Sequence, residues 1–244
     1  MCPAGTVRGH SGGPRRKVHR DLSRSRARDE ICADQIAYYR ARSPWYDDVY
    51  TGKGDYDRGT ELNAQWQADL ADIETALSRA SLHGECVELG AGTGYWTERV
   101  LDRVDRLWAL DAVPEVLEIA RARLGIDAAR VEFEVVDLWR WVPDRTWDCA
   151  LACFFVEHVP DEVLPELLRA LHNALRPGGA VFVAEGAAYA PEPQVETREI
   201  DGWQFQVVER RRTPDELTDM FGAAGFTVEV TNSVRYVYLT GRRA

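Results

Sequence analysis

The segment Val87-Glu-Leu-Gly-Ala-Gly-Thr-Gly-Tyr-Trp-Thr97 limits the possible folds more than any other part of the chain. A short run with the pattern of a buried strand enters three alternating glycines and leaves into a helix-like stretch. Gly90, Gly92 and Gly94 lack a Cβ, so the backbone can take positive φ and lie directly against a ligand that any side chain would displace. Such a turn belongs in an open α/β sheet, where ligands sit beyond the carboxyl ends of the strands. The spacing is G-x-G-x-G and not the G-x-G-x-x-G of dinucleotide-binding loops, which argues against a nicotinamide oxidoreductase. Glu88, two residues ahead of the first glycine, would receive a phosphate poorly and a cation well.

Later segments repeat the pattern of strand followed by acid. Residues 106–111 form an apolar run that ends in Asp111, and a helix-like stretch, 113–124, follows it. An acid at the end of the second strand can accept both hydroxyls of a ribose. Residues 131–136 alternate as a strand does and end in Asp137-Leu138; 147–154 read as a fourth strand; 175–185 read as a helix end, a Gly-Gly turn and a fifth strand. Taken in order over roughly residues 80–241, these segments resemble the motifs of the class I S-adenosylmethionine (SAM) dependent methyltransferases of the small-molecule branch. The resemblance implies an α/β fold: a seven-stranded Rossmann-like sheet with helices on both faces, closed by a C-terminal antiparallel strand pair at 225–230 and 234–239. It implies SAM as cofactor. Glu88 would lie near the methionine moiety, Gly90, Ala91, Gly92 and Gly94 along the turn, and Asp111 with Ala112 at the ribose. Asp137 with Leu138 would meet the adenine, and Phe154 would follow the fourth strand.

At 244 residues and 45% hydrophobic, the chain can bury one sizeable core, and a single domain over 31–244 is expected. No stretch approaches 18 consecutive apolar residues and the N-terminus has no apolar signal core, so a cytoplasmic protein without membrane contact is expected. The five cysteines show no C-x-x-C and the five histidines are scattered, which points to reduced core thiols and no metal site. The formal charge is −10, yet residues 1–30 hold eight Lys and Arg against three Asp and Glu, leaving −15 on the remainder. That basic tail has no periodicity and reads as disordered. The acidic body argues against a nucleic-acid partner, as does 154–160, Phe-Phe-Val-Glu-His-Val-Pro, where nucleic-acid methyltransferases tend to carry an Asn- or Asp-Pro-Pro-Tyr motif. A small-molecule substrate and a monomer or homodimer are expected.

Residues 31–80 precede the glycine turn and should form lid helices: a helical spacing at 31–42, and a second helix from about 61 to 79 with Thr60 as N-cap and Leu62, Trp66, Leu70, Ile73 and Leu77 as its buried stripe. The pattern Tyr-Tyr-x-x-Arg followed by Trp-Tyr-Asp resembles the N-terminal segment of small-molecule methyltransferases. There the residue matching Tyr46 closes over SAM, which makes Tyr46 a cofactor and catalytic candidate and Tyr39 a substrate candidate. The alternative is that Tyr38, Tyr39 and Tyr46 only cap the core. His158, after the fourth strand, is the candidate general base for a hydroxyl or ammonium acceptor, with Glu157 beside it; a carboxylate or enolate acceptor needs no base. Residues 186–212 form a long insertion suited to capping a substrate. Trp203 and Phe205 would give it an aromatic wall, with Arg210 and its neighbours Arg211 and Arg212 at the edge. A solvated Arg run is one reading; an Arg pointing inward would imply an anionic substrate. Thr213-Pro-Asp-Glu216 is a capping box that starts the last helix. The expected function is transfer of the SAM methyl group to an O, N or C nucleophile of a small metabolite by in-line displacement. A SAM-assisted decarboxylation or cyclisation and a non-catalytic SAM-binding regulator remain open alternatives.

Overall fold

A computed structural model describes residues 15–188, 194–233 and 235–244. The first 14 residues of the basic tail, Pro191 and Pro193 of the insertion, and Val234 lie outside the described residues. Seven strands form one sheet: β1 (Glu85–Leu89), β2 (Arg106–Asp111), β3 (Val131–Val135), β4 (Trp147–Cys153), β5 (Leu175–Gly186), β8 (Phe226–Asn232) and β9 (Tyr236–Arg243), in the order β3-β2-β1-β4-β5-β9-β8. The first five are parallel, and β9 runs antiparallel between β5 and β8. The order reverses between β1 and β4, and in an open α/β sheet this is where the crevice for a ligand opens.

The helices are α1 (Arg15–Arg42), α2 (Asp48–Thr51), α3 (Thr60–Arg79), α4 (Tyr95–Val100), α5 (Pro114–Leu124), α6 (Leu164–Ala174) and α7 (Pro214–Ala223). They cover both faces because strand side chains alternate sides. Cys86, Cys149 and Leu151 pack with Leu70, Ile73 and Leu77 of α3 and Leu117 of α5. Val87, Ala150 and Ala152 pack with Leu164, Leu168 and Leu171 of α6 and Phe221 of α7. Pro214 sits in the first turn of α7, and the Thr213–Glu216 capping box is formed in both directions.

Three local expectations are corrected. The helix read over 31–42 begins at Arg15, so the tail is helical from there on; no Gly or Pro interrupts 15–42, and Arg, Ala and Leu favour helix. Thr60 is the first helical residue of α3 and not its cap, which falls on Gly59 at φ 86° with no side-chain bond. Leu62 is 51% exposed, so the buried stripe of α3 starts a turn later.

The insertion folds into a separate hairpin of β6 (Val195–Ile200) and β7 (Trp203–Val208). Its turn uses Asp201 and Gly202, both at positive φ, as tight two-residue hairpin turns require. The hairpin lies on α1. The Asp34 carboxylate accepts from Gln206 N, and Gln35 accepts from Val208 N while donating to the His158 carbonyl. No helix among the described residues is long and apolar enough to cross a membrane.

Candidate active site

The glycine turn is built around Asp111. Gly90 N and Ala91 N donate to the Leu110 carbonyl, Gly92 N donates to one Asp111 carboxylate oxygen at 2.9 Å and Val113 N to the other at 2.9 Å. Burial raises the Asp111 pKa, and the backbone N–H groups of Val113, Gly92 and Ala112 oppose that. Gly90, Gly92, Asp111 and Ala112 wall a first cavity together with Asp137, Leu138 and Phe154. Cys32, Gln35 and Ile36 of α1 cover it. Asp137 accepts from Trp139 N at 3.0 Å and from the Cys32 thiol at 3.8 Å. Two carboxylates on apolar walls suit a nucleoside, whose hydroxyls and exocyclic amine are donors. No Lys or Arg is among the described residues that line the cavity, which fits a cofactor without phosphate.

Three expected cofactor contacts lie behind that wall. Glu88 is 2% exposed and accepts from the Thr97 hydroxyl at 2.6 Å; burial pushes its carboxyl up to about 8. Ala91 is buried, and a Cβ on Gly94 would stand 2.9 Å from that of Ala120. These residues support the turn from beneath, Glu88 through Thr97, Ala91 through the core and Gly94 by its close approach to Ala120.

A second cavity of about 550 Å³ adjoins the first. Tyr38, Tyr50, Tyr56 and Trp66 line it with Arg42, Arg58, Arg198, Arg211 and Arg235, and with Glu157 and Glu209. Most of these arginines have acidic partners: Arg198 and Arg211 pair with Glu209, and Arg235 pairs with Asp69 at 2.5 Å. Arg42 differs. It is 7% exposed, and its guanidinium carbon lies 4.9 Å from the ring centre of Tyr46 and 5.0 Å from that of Tyr56, but no carboxylate among the described residues pairs with it. An isolated buried charge costs several kcal/mol, and cation–π contacts offset about 0.5–2 kcal/mol each.

The cavities meet at Tyr39, Tyr46, Phe154 and His158, which line both. Phe154 follows β4 at φ 55°, a left-handed conformation that a bulky residue adopts only under tertiary constraint; its N–H donates to the Ala184 carbonyl at 2.7 Å. Beneath the following turn, Val156–His158, the buried Glu185 carboxylate accepts from the backbone N–H groups of Phe155, Val156 and Glu157. Glu157 in turn accepts from Gly186 N at 3.2 Å. Both carboxyls are pushed upward by burial. Tyr46 is pushed up to about 12 and Tyr39 well above its ordinary value, again by burial, so both phenols stay protonated.

The insertion contributes differently from expectation. Trp203 is 74% exposed beside the hairpin turn and lines neither cavity. Phe205 packs against Tyr38 with ring centres 6.0 Å apart, behind the cavity lining. Arg210 pairs with Glu216 at 2.5 Å and with Asp161 at 3.5 Å, while Arg211 lines the cavity. Successive side chains of an extended segment point to opposite sides, so only the middle residue of the Arg run faces inward. Arg42 and Arg198 were not expected at the site. Arg42 is the last residue of Tyr-Tyr-x-x-Arg, and its spacing of four from Tyr38 and three from Tyr39 on a helix puts the three on one face. Arg198 carries no such signal, since its place depends on the hairpin folding back over α1.

The strand order, the glycine turn clamped by Asp111 and an adjoining cavity walled by two carboxylates and no basic residue among the described ones are those of a methyltransferase that uses SAM. The chain belongs to the methyltransferase domain family, which it matches over residues 59–230. It is similar to the malonyl-[acyl-carrier protein] O-methyltransferase of Serratia marcescens, 29% identical over 136 residues, covering 55% of this chain and 49% of the relative. It is also similar to the ubiquinone biosynthesis O-methyltransferase of Xanthomonas campestris pv. campestris, 25% identical over 115 residues, covering 46% of this chain and 47% of the relative. The match thus spans about half the length of these curated relatives. Among solved structures, a DhpI-SAH complex aligns over 88% of this chain and 98% of its own, with TM-score 0.75 and 31% identity. A DhpI-SAM-HEP complex aligns similarly, at 29% identity and TM-score 0.75, over 87% of this chain and 98% of its own.

Proposed function

We propose that the protein transfers the methyl group of SAM to a nucleophilic O, N or C atom of a small molecule, by in-line displacement where the two cavities meet. The observation that carries this reading is that Tyr39, Tyr46, Phe154 and His158 wall both spaces, so a molecule in one faces a molecule in the other. A cavity of about 550 Å³ is of the size that holds a small ligand. Similarity to a complex containing both SAM and HEP supports a second ligand beside the cofactor. The acidic body and the concave, aromatic-lined acceptor space favour a small-molecule partner over a nucleic acid.

When bound, SAM supplies a methyl group activated by its sulfonium. Asp111 and Asp137 are placed to hold the nucleoside, and Tyr46 closes the junction opposite Gly92, whose Cβ position is 3.6 Å from the Tyr46 hydroxyl. Such a transfer depends chiefly on alignment and on exclusion of water. We assign His158 a positioning role: its Nε2 is already engaged by the Tyr39 hydroxyl at 2.9 Å, and burial pushes the ring down to about 4, too weak a base to be poised near neutrality. The test is incubation of the protein with SAM and a panel of small acids, phenols and amines, followed by mass spectrometry. Formation of SAH with an acceptor heavier by one CH₂ is the expected result. SAM binding with no methylated product across the panel would replace this reading with a non-methylating one.

A further inference from the structure

Arg42 is a nearly buried cation that the protein leaves without a counter-charge. It lines a cavity in which Arg198 and Arg211 are engaged by Glu209 and Arg235 by Asp69, while Arg58 is exposed to solvent, so Arg42 is the one buried cation there without a carboxylate among the described residues. The aromatic faces of Tyr46 and Tyr56 stabilise the charge but accept none of the five guanidinium N–H groups as an oxygen would. A planar fork of donors beside a cavity is the arrangement that binds an acidic oxygen group through two parallel hydrogen bonds. Because Arg42 contacts Tyr46, which borders both cavities, a group it holds lies at the junction.

Resting on the methyl-transfer reading above, we infer that Arg42 is the specificity-determining residue of the acceptor cavity and that the acceptor bears an anionic oxygen acid, a carboxylate or a phosphoryl-type group, whose own oxygen is the nucleophile. The acceptor oxygen forms the new O–C bond with its lone pair. The electron pair of the broken S–CH₃ bond stays on sulfur as a neutral thioether, and no proton moves. This agrees with a site whose only imidazole among the described residues is occupied by Tyr39. The ester formed has one negative charge fewer than the acid, neutral from a carboxylate and less anionic from a phosphoryl group, so Arg42 holds the product less tightly than the substrate.

The experiment is titration of the SAH-loaded protein with inorganic phosphate and with acetate, and with the uncharged trimethyl phosphate and methyl acetate, in wild type, Arg42→Gln and Arg42→Lys. Wild type is expected to bind at least one of the two anions and neither ester. Arg42→Gln should weaken the anion by about tenfold or more, with Arg42→Lys between, as expected for loss of a charge-assisted two-point contact. Preference for phosphate marks a phosphoryl acid, and preference for acetate a carboxylate. Equal affinity in wild type and Arg42→Gln, ester binding as tight as anion binding, or no anion binding by wild type each overturns the inference. If Arg42→Gln does not give a cooperative thermal transition, Arg42→Met, which keeps the bulk between the rings, takes its place under the same criteria. Titration with SAH separates the two readings: absence of SAH binding by wild type defeats the methyl-transfer reading, whereas normal SAH binding without an Arg42-dependent anion defeats only this one.

Discussion

The Tyr39 hydroxyl lies 2.9 Å from Nε2 of His158, while Nδ1 of the same ring lies 2.7 Å from the Val208 carbonyl oxygen. A carbonyl only accepts, so Nδ1 carries the proton, Nε2 is the acceptor, and Tyr39 donates to it. One imidazole thereby ties α1 to the turn after β4 and to the hairpin.

This arrangement has a pH signature. Burial, reinforced by Arg198, Arg42 and Arg211, pushes His158 down from 6.5 to about 4. Between those values the unfolded imidazole binds a proton that the folded one refuses, so this group makes stability fall as pH drops through that window and contributes nothing above it. Thermal unfolding between the two limits should show a shallower acid-side loss in His158→Gln than in wild type. Imidazole NMR should find the Nδ1–H tautomer with no titration near 6.5; a midpoint there in the folded protein would contradict the assignment.

If His158 acts by holding Tyr39, the two residues form one unit. Tyr39→Phe and His158→Gln should each lower kcat/KM by roughly fivefold, the worth of one hydrogen bond, and the double variant should lower it no further. Multiplicative losses would mean that the histidine acts separately on the substrate.

Two glycines of the turn should fail in different ways. A Cβ on Gly90 would stand 2.5 Å from the Phe155 ring, so Gly90→Ala should depress the melting temperature. At Gly92 the nearest atom is the Tyr46 hydroxyl at 3.6 Å, and φ is +53°, so Gly92→Ala should cost only about 1–2 kcal/mol in stability. It should nonetheless lose SAH affinity, because the new methyl enters the cofactor space. Calorimetric titration beside thermal unfolding distinguishes the two effects, and retained SAH affinity in Gly92→Ala would move the cofactor away from this turn.

The exposed end of the hairpin should be silent. Trp203→Ala is expected to leave SAH affinity and acceptor KM within about twofold, since its side chain meets mostly solvent. Arg210→Ala should cost about 0.5–1 kcal/mol of stability through its pairs with Glu216 and Asp161, again without a kinetic effect. A large rise in acceptor KM in either variant would place the hairpin closer to the substrate than it lies here.

The parallel half of the sheet was legible because β1 to β4 each run to or just into a chemically distinctive residue, Gly90, Asp111, Asp137 or Phe154, and local periodicity defines the rest. The acceptor side was less so. Trp203 and Phe205 share a strand face, yet one is exposed at the hairpin turn while the other packs against Tyr38 of α1, and nothing in their spacing tells the two apart. His158 was readable as a residue at the ligand-binding end of the sheet. Its state was not, because Tyr39 and Val208, which determine it, are 119 and 50 positions away. Arg198 likewise enters only through long-range folding.

Helix α1 gives Cys32, Gln35 and Ile36 to one cavity, Tyr38 and Arg42 to the other, and Tyr39 to both. Cys32 to Arg42 spans about 15 Å of a single rod, which moves as a unit. The roof over one cavity is therefore the roof over the other, and a substitution that tilted this rod would reshape both spaces together.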